Sequence, residues 1–405
     1  MNAPQIELDP PAHTWADLVE FDPERHTEER ARFGLPTDRP IVMAGHQGGF
    51  WHAGIAAKLF AARSLADRIG GAVAWLVIDT DDIKPTELRV PMRDDTGTLI
   101  ERVIRVDRDD ADHPRAREAV ASYEQHRDVA SPEVRATLAT IDALPAKIPT
   151  IVRSSQLTET GAFRTLVDHF TADASVARDE YNEAIAAHPN SGVVELRGDQ
   201  VPFWRVTPSG ARLPALERDL DATLWPRALA TTGVVRESLC DLFIHGTGGR
   251  AYEHINDRWL GNTLGWRLAP FVTATATLRL AFEGETVTEA DAHAAAWRAH
   301  HARHHPELLG DDAAQAERSK LVTRIAQLQS GDAGRHELFV QLHELLDDAR
   351  NRHADRLAEL DSIAADAARR ASELKLREDR TWPAVLHEHA DLAMLRDTID
   401  ASFDH

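Results

Sequence analysis

Residues 40–91 constrain the fold more than any other stretch of this chain. Ile41-Val42-Met43-Ala44 is a short apolar run of the kind found in a strand buried on both faces. It leads into Gly45-His46-Gln47-Gly48-Gly49-Phe50-Trp51-His52-Ala53-Gly54, a glycine-rich turn with two histidines and an amide. Ile55, Leu59, Ala62, Ala66 and Ile69 then recur at helical spacing, and Gly70-Gly71 supplies a stop. A second apolar run, 72–78, ends on Asp79-Thr80-Asp81-Asp82. Strand, turn, helix and strand predict a right-handed βαβ unit whose polar residues collect at the carboxyl ends of its strands, where open parallel sheets bind ligands.

The chemistry of such a turn follows from its backbone. Glycines let peptide N–H groups approach an anion, and the next helix presents its positive end. His46 and His52 add donors or a proton that titrates near neutral pH. The alternative is that the glycines only tighten the turn and the histidines cap backbone. Asp79, Asp81 and Asp82 favour a site, because clustered carboxylates call for a metal, a base or a substrate amine.

The device recurs about two hundred residues later. The buried run 241–245, ending in His245, meets Gly246-Thr247-Gly248-Gly249 and a helix expected over 251–260. Two such turns on one parallel sheet would converge on a single crevice, unless both are ordinary βα turns. Gly48, Gly49, Gly246, Gly248 and Gly249 would then cradle an anion, with Lys58 and Arg250 as phosphate partners. His46, His52 and His245 would stabilise negative charge or shuttle a proton. Asp79, Asp81 and Asp82 would orient an amine or hold Mg²⁺. Gln47, Tyr252 and Trp51 would line the pocket.

The fold class expected is α/β, with a mostly parallel sheet, a helical insertion and a helical C-terminal region. Residues 1–106 and 191–285 are the two halves of the core, 107–190 the insertion and 286–405 the C-terminal part. Short strands are expected at 87–90, 99–106, 193–196, 201–206 and 211–213, with a turn at Pro208-Ser209-Gly210, and a longer strand at 271–282. Residues 335–382 contain neither Gly nor Pro, enough for a helical rod of about 70 Å. Leu338, Leu342, Leu345 and Ala349 form one seam and Leu360, Ala364, Ala367, Ala371 and Leu374 another, out of phase near His353. A hairpin or a dimeric coiled coil fits, as does a helix packed on its own domain. Residues 385–399 are expected to fold back on the core.

Composition narrows the setting. A net charge of -20 disfavours nucleic acid and anionic membranes as partners. The lone cysteine, Cys240, excludes an internal disulfide and reads as a packing residue. No apolar run reaches membrane-span length and no secretory signal is visible at the N-terminus, so the cytoplasm is the expected compartment. His300, His301, His304 and His305 have metal-ligand spacing on a helix, but no carboxylate completes the set.

Gly45-His46-Gln47 and Gly49-Phe50-Trp51, then Trp75 before Asp79-Thr80-Asp81-Asp82, then Gly246-Thr247-Gly248-Gly249-Arg250-Ala251-Tyr252, together resemble the cysteine-adding enzyme family of bacillithiol biosynthesis. The resemblance implies a Rossmann-like core related to nucleotidyltransferases and class I synthetases, a coiled coil used for homodimerisation, and joining of cysteine to a glucosaminyl-malate. His52-Ala53-Gly54 is similar to the first half of the nucleotidyltransferase signature, with Ile55 in place of its second histidine. The chain departs from the family at polar positions: His46 replaces a glutamine, Asp81 a histidine and Gly249 a glutamate. The resulting expectation is a ligase or transferase acting on a small phosphorylated, nucleotide or amino-sugar substrate. A nucleotide (ATP or ADP) and Mg²⁺ are its candidate cofactors. A non-catalytic dimeric binding protein and a metal-dependent hydrolase are the alternatives.

Overall fold

The computed structural model describes residues 3–109, 113–208 and 210–404. Met1-Asn2 and Ser209 of the expected turn lie outside the described residues, as do 110–112 of the insertion and His405. The chain divides into two compact units: Met1–Val90, Arg102–Leu280 and Arg380–His405 form one, and Pro91–Glu101 with Ala281–Asp379 the other.

Eleven strands are found among the described residues: β1 Gln5–Asp9, β2 Ile41–Gln47, β3 Ala72–Ile78, β4 Glu87–Arg93, β5 Leu99–Arg105, β6 Thr150–Arg153, β7 Gln200–Val206, β8 Arg212–Leu216, β9 Leu224–Pro226, β10 Leu242–His245 and β11 Phe271–Thr277. The first unit is built on a six-stranded sheet of order β1-β11-β10-β2-β3-β6. All its pairs are parallel except β1 with β11. The chain runs outward from β2 through β3 to β6, then returns to β10 on the other side of β2 and continues to β11. Strand order therefore reverses between β2 and β10, the place where α/β sheets open a ligand crevice.

Alternation along each strand explains the layers. Val42, Ala44, Trp75, Val77 and Ile244 pack into one core with the helix Ala53–Ile69 and with Leu392, Leu395 and Ile399 of the helix His389–Ala401. Ile41, Met43, Leu76 and Phe243 point the other way, against Leu166, Val234, Ile255 and Trp259. Both faces are thus covered, which is why these strands are apolar throughout. The helix His389–Ala401 is the expected return of the chain to the core.

Several expectations are corrected. The segment 107–190 is not purely helical, because it contributes β6 to the sheet. Ahead of β2 the chain supplies β1, which no pattern described above predicts, and short helices at Ala12–Leu18 and Thr27–Arg32. The strand expected over 271–282 stops at Thr277. Residues 193–196 form no strand, and β7, β8 and β9 make a small antiparallel sheet.

The second unit is helical apart from the 91–101 hairpin tip. The rod breaks at His353 into Ala333–Arg352 and Ala354–Glu378, where the seams change phase. Leu357, Leu360 and Ala364 pack on Ala299, Ala302 and Leu309, and Leu338 packs on Leu321 and Ile325. Both seams are thus engaged by helices of the same unit.

Candidate functional site

The two glycine turns open at one rim. β2 and β10 are hydrogen-bonded neighbours, with Ile244 in register with Ala44, so His46 and His245 leave the same edge of the sheet. A cavity of about 440 Å³ lies there, walled by both turns and by Thr80, Asp81, Trp204, Arg212, Thr231, Thr232, Thr275 and Arg380. Of the residues singled out from the sequence, His46, Gln47, His52, Lys58, Asp81, His245, Gly246, Gly248, Gly249 and Tyr252 line it.

Each turn is shaped differently. β2 continues through Gln47, so its carboxyl end, not a loose loop, carries His46. Burial, with Lys58 nearby, lowers the His46 pKa to about 3, so the ring is neutral. Its Nδ1 lies 3.1 Å from the Gln47 carbonyl and must therefore donate, which leaves Nε2 as a hydrogen-bond acceptor on a cavity wall. His52 is the N-cap of the helix Ala53–Ile69, and its Nδ1 accepts from the Gly54 N–H at 3.1 Å. It both caps the helix and lines the cavity. Lys58, one turn into that helix, is buried and donates to the Gly45 carbonyl. Burial pulls its pKa down to about 7.

At the second turn Gly246 caps the helix Thr247–Leu264, which begins earlier than the sequence suggests. A Cβ at Gly246 or Gly248 would meet open space, and the first turn of this helix lines the cavity with the helix's positive end. His245 is buried beside Tyr252, Phe243 and Phe271, with Nε2 3.2 Å from Glu253. Burial drives the Tyr252 pKa up to about 12, so its phenol stays protonated.

Glu253 is the principal residue that sequence reasoning misses. It is fully buried and accepts from Thr232, from Arg236 at 2.6 Å and from Asn256 at 3.2 Å. Burial opposes its charge, yet His245, Arg236 and Thr232 more than offset that and hold its pKa down at about 2. The signal was available: Thr232 and Arg236, like Glu253 and Asn256, are polar pairs at helical spacing on otherwise apolar helix faces. Arg212 and Trp204 belong to the small antiparallel sheet and are also missed. Arg212 donates to Asp81 and to the Thr80 carbonyl and lies over the Trp204 ring, while Gln47 donates to Asp81 at 3.1 Å.

Six predicted residues stay outside the cavity lining. Asp79 is a structural link: its carboxylate accepts from the Ser154 hydroxyl, the Ser155 N–H and the Ser155 hydroxyl at 2.6–3.0 Å, tying β3 to the turn after β6. Asp82 is exposed. Gly48 gives its N–H to the Ile78 carbonyl and is pressed against Glu133, and the Gly49 carbonyl accepts from Thr140. Arg250 is half exposed and pairs with Asp9 at 2.8 Å. Trp51 is core, stacked on Trp75 at 4.4 Å. The acidic trio therefore does not converge, and only Asp81 reaches the cavity.

Among the described residues, no three His, Cys, Asp or Glu side chains come together to hold a metal ion. His301 and His305 instead lie against the Trp297 carbonyl and Glu307. No helix among the described residues is long and apolar enough to cross a membrane. Neither a protein-family model nor a curated protein matches the chain.

Proposed function

We propose that the crevice between β2 and β10 is the site of a ligase or transferase, on a Rossmann-like core, that takes a small anionic substrate such as a phosphorylated, nucleotide or amino-sugar compound. The observation that carries the reading is the convergence of Lys58, neutral His46 and the N-terminus of Thr247–Leu264 on one cavity at the point where strand order reverses. The helix end and Lys58 would hold the anion, a nucleotide phosphate included. His46 Nε2, neutral, would accept a hydrogen bond from the attacking group and orient it, and Tyr252, kept protonated, would donate one. Asp81, fixed by Arg212 and Gln47, would orient an amine. The side chains present do not suit Mg²⁺, because Asp79 is committed to Ser154 and Ser155 and Asp82 does not line the cavity.

The test is turnover and calorimetric binding with nucleotides, amino sugars and their phosphates, compared with His46→Ala. Turnover that survives His46→Ala unchanged removes the role given to His46. A second reading, binding without turnover, is favoured by the dispersal of the acidic trio; tight binding with no product from any candidate would support it. The cysteine-adding activity, homodimerisation through the C-terminal helices and a cytoplasmic location belong to the same proposal. Sedimentation velocity tests the dimer, and a monomer at every concentration removes it.

A further inference from the structure

Among the described residues, Lys58 is a buried amine without a counter-ion. It is 4% exposed, donates to the Gly45 carbonyl and lies 5.5 Å from the Trp75 ring centroid, and no carboxylate among the described residues pairs with it. The ionisable groups around the same cavity are His46 on β2, His52 at the helix start, His245 on β10, Tyr252, Asp81, and Arg212 and Arg380 on the far wall. Asp81 is bound by Arg212 and Gln47, and Glu253, behind His245, by Arg236, Thr232 and Asn256. Neither carboxylate is free to serve the lysine. A charge in so dry a place is costly unless something compensates it.

We propose that the ligand's own anionic group is the counter-ion of Lys58, so that binding draws one proton from solvent onto the Lys58 amine. This rests on the reading of the crevice as an anion site and adds to it a defined proton stoichiometry. The balance is simple: neutral amine, anion and a solvated proton give an ammonium–anion pair, with no covalent change. His46 does not compete for the proton, because the same burial and the Lys58 charge keep it neutral.

Burial sets the free Lys58 pKa at about 7, so at about pH 8 roughly nine-tenths of the amine is neutral before binding. Sulfate as a phosphoryl-like tetrahedral anion and acetate as a carboxylate are suitable probes, since both are almost fully ionised at about pH 6 and at about pH 8. Calorimetry in two buffers of different ionisation heat should report uptake of about 0.9 proton per anion at about pH 8 and about 0.1 at about pH 6. Affinity should fall about tenfold per pH unit above about pH 7.5. The better-bound probe identifies the group the pocket is built for. Lys58→Met should abolish the uptake; if that variant does not fold, the wild-type pH dependence decides alone. Binding without proton uptake at about pH 8, or uptake that persists in Lys58→Met, overturns the proposal while leaving the anion crevice standing. Failure of both anions to bind removes the crevice reading itself, and the proposal with it.

Discussion

A Cβ added to Gly249 would lie 2.0 Å from Nδ1 of His245, so the glycine is the space the imidazole ring occupies. The second turn needs glycine here to seat a side chain, not to bring its backbone to a ligand. Gly249→Ala must push the ring toward the cavity or shift the first turn of the helix. Overpacking of this kind costs about 1–3 kcal/mol. The expected outcome is a loss of that size in urea unfolding and weaker anion binding. Because the two positions collide, Gly249→Ala with His245→Ala should cost less than the sum of the singles. Strict additivity would show that the ring and the glycine do not constrain each other.

Glu253 anchors the layer beneath that ring. Arg236 reaches its carboxylate at 2.6 Å with both side chains almost fully buried, and removing one partner strands the other. Glu253→Gln should therefore cost about 3–5 kcal/mol in urea unfolding at neutral pH. The pH dependence has a definite sign. The folded pKa, held at about 2, lies below the unfolded value, so the stabilisation is complete above about pH 4.3 and is lost as pH falls toward 2. Over that window the wild type should lose about 1.4 kcal/mol more per pH unit than Glu253→Gln. Parallel acid profiles would mean that Glu253 is not ionised in the folded protein.

Asp79 and Asp81 are two residues apart and do different work. Asp79 accepts three hydrogen bonds from Ser154 and Ser155, whereas Asp81 faces the cavity with Arg212 and Gln47. Asp79→Ala should cost about 2–4 kcal/mol by stranding those donors, with anion affinity changed less than about twofold. Asp81→Asn should leave stability nearly unchanged and raise anion affinity, because it frees Arg212 and removes a negative charge from the cavity wall. Unfolding curves and sulfate titrations of the two variants settle the assignment, and a reversed pattern would place the functional carboxylate at Asp79.

Periodicity carried the sequence reading where it was strong. The runs 41–44 and 72–78, the helix between them and the second strand–turn–helix are all present, and their turns meet because β2 and β10 are neighbours. What failed was short or non-local. Thr150–Arg153 is four residues long and becomes a strand only because the exposed edge of β3 awaits a partner. Strand alternation did not show which of the clustered aspartates would turn back to Ser154, since that hydroxyl comes from a segment read as helical. Arg212 reaches Asp81 from a separate sheet more than a hundred residues on, a pairing that no local pattern encodes. The long seams were legible as helices, but their partners on Glu289–Ala302 and Asp312–Gln327 were not.

The turn glycines give the sharpest separation of packing from binding. A Cβ on Gly48 would meet Glu133 Cβ at 2.2 Å and its Cα at 2.6 Å, so the first turn is clamped against the helix Pro132–Asp142. Its N–H is already spent on Ile78. Gly48→Ala must displace backbone and should cost about 1–3 kcal/mol while touching the cavity only indirectly. Gly248 differs in both respects: nothing lies within 4 Å of its added Cβ, and it lines the cavity in the first turn of a helix. Gly248→Ala should leave stability unchanged or improve it by up to about 1 kcal/mol, since alanine is the better helix residue. The new methyl occupies space an anion needs to reach the helix end, so sulfate affinity should drop about tenfold or more, a loss of about 1.4 kcal/mol or more. Thermal unfolding and calorimetry on the two variants separate the effects. If Gly248→Ala binds sulfate as the wild type does, the anion does not sit on the N-terminus of Thr247–Leu264, and the burden of holding it falls on Lys58 and Arg212.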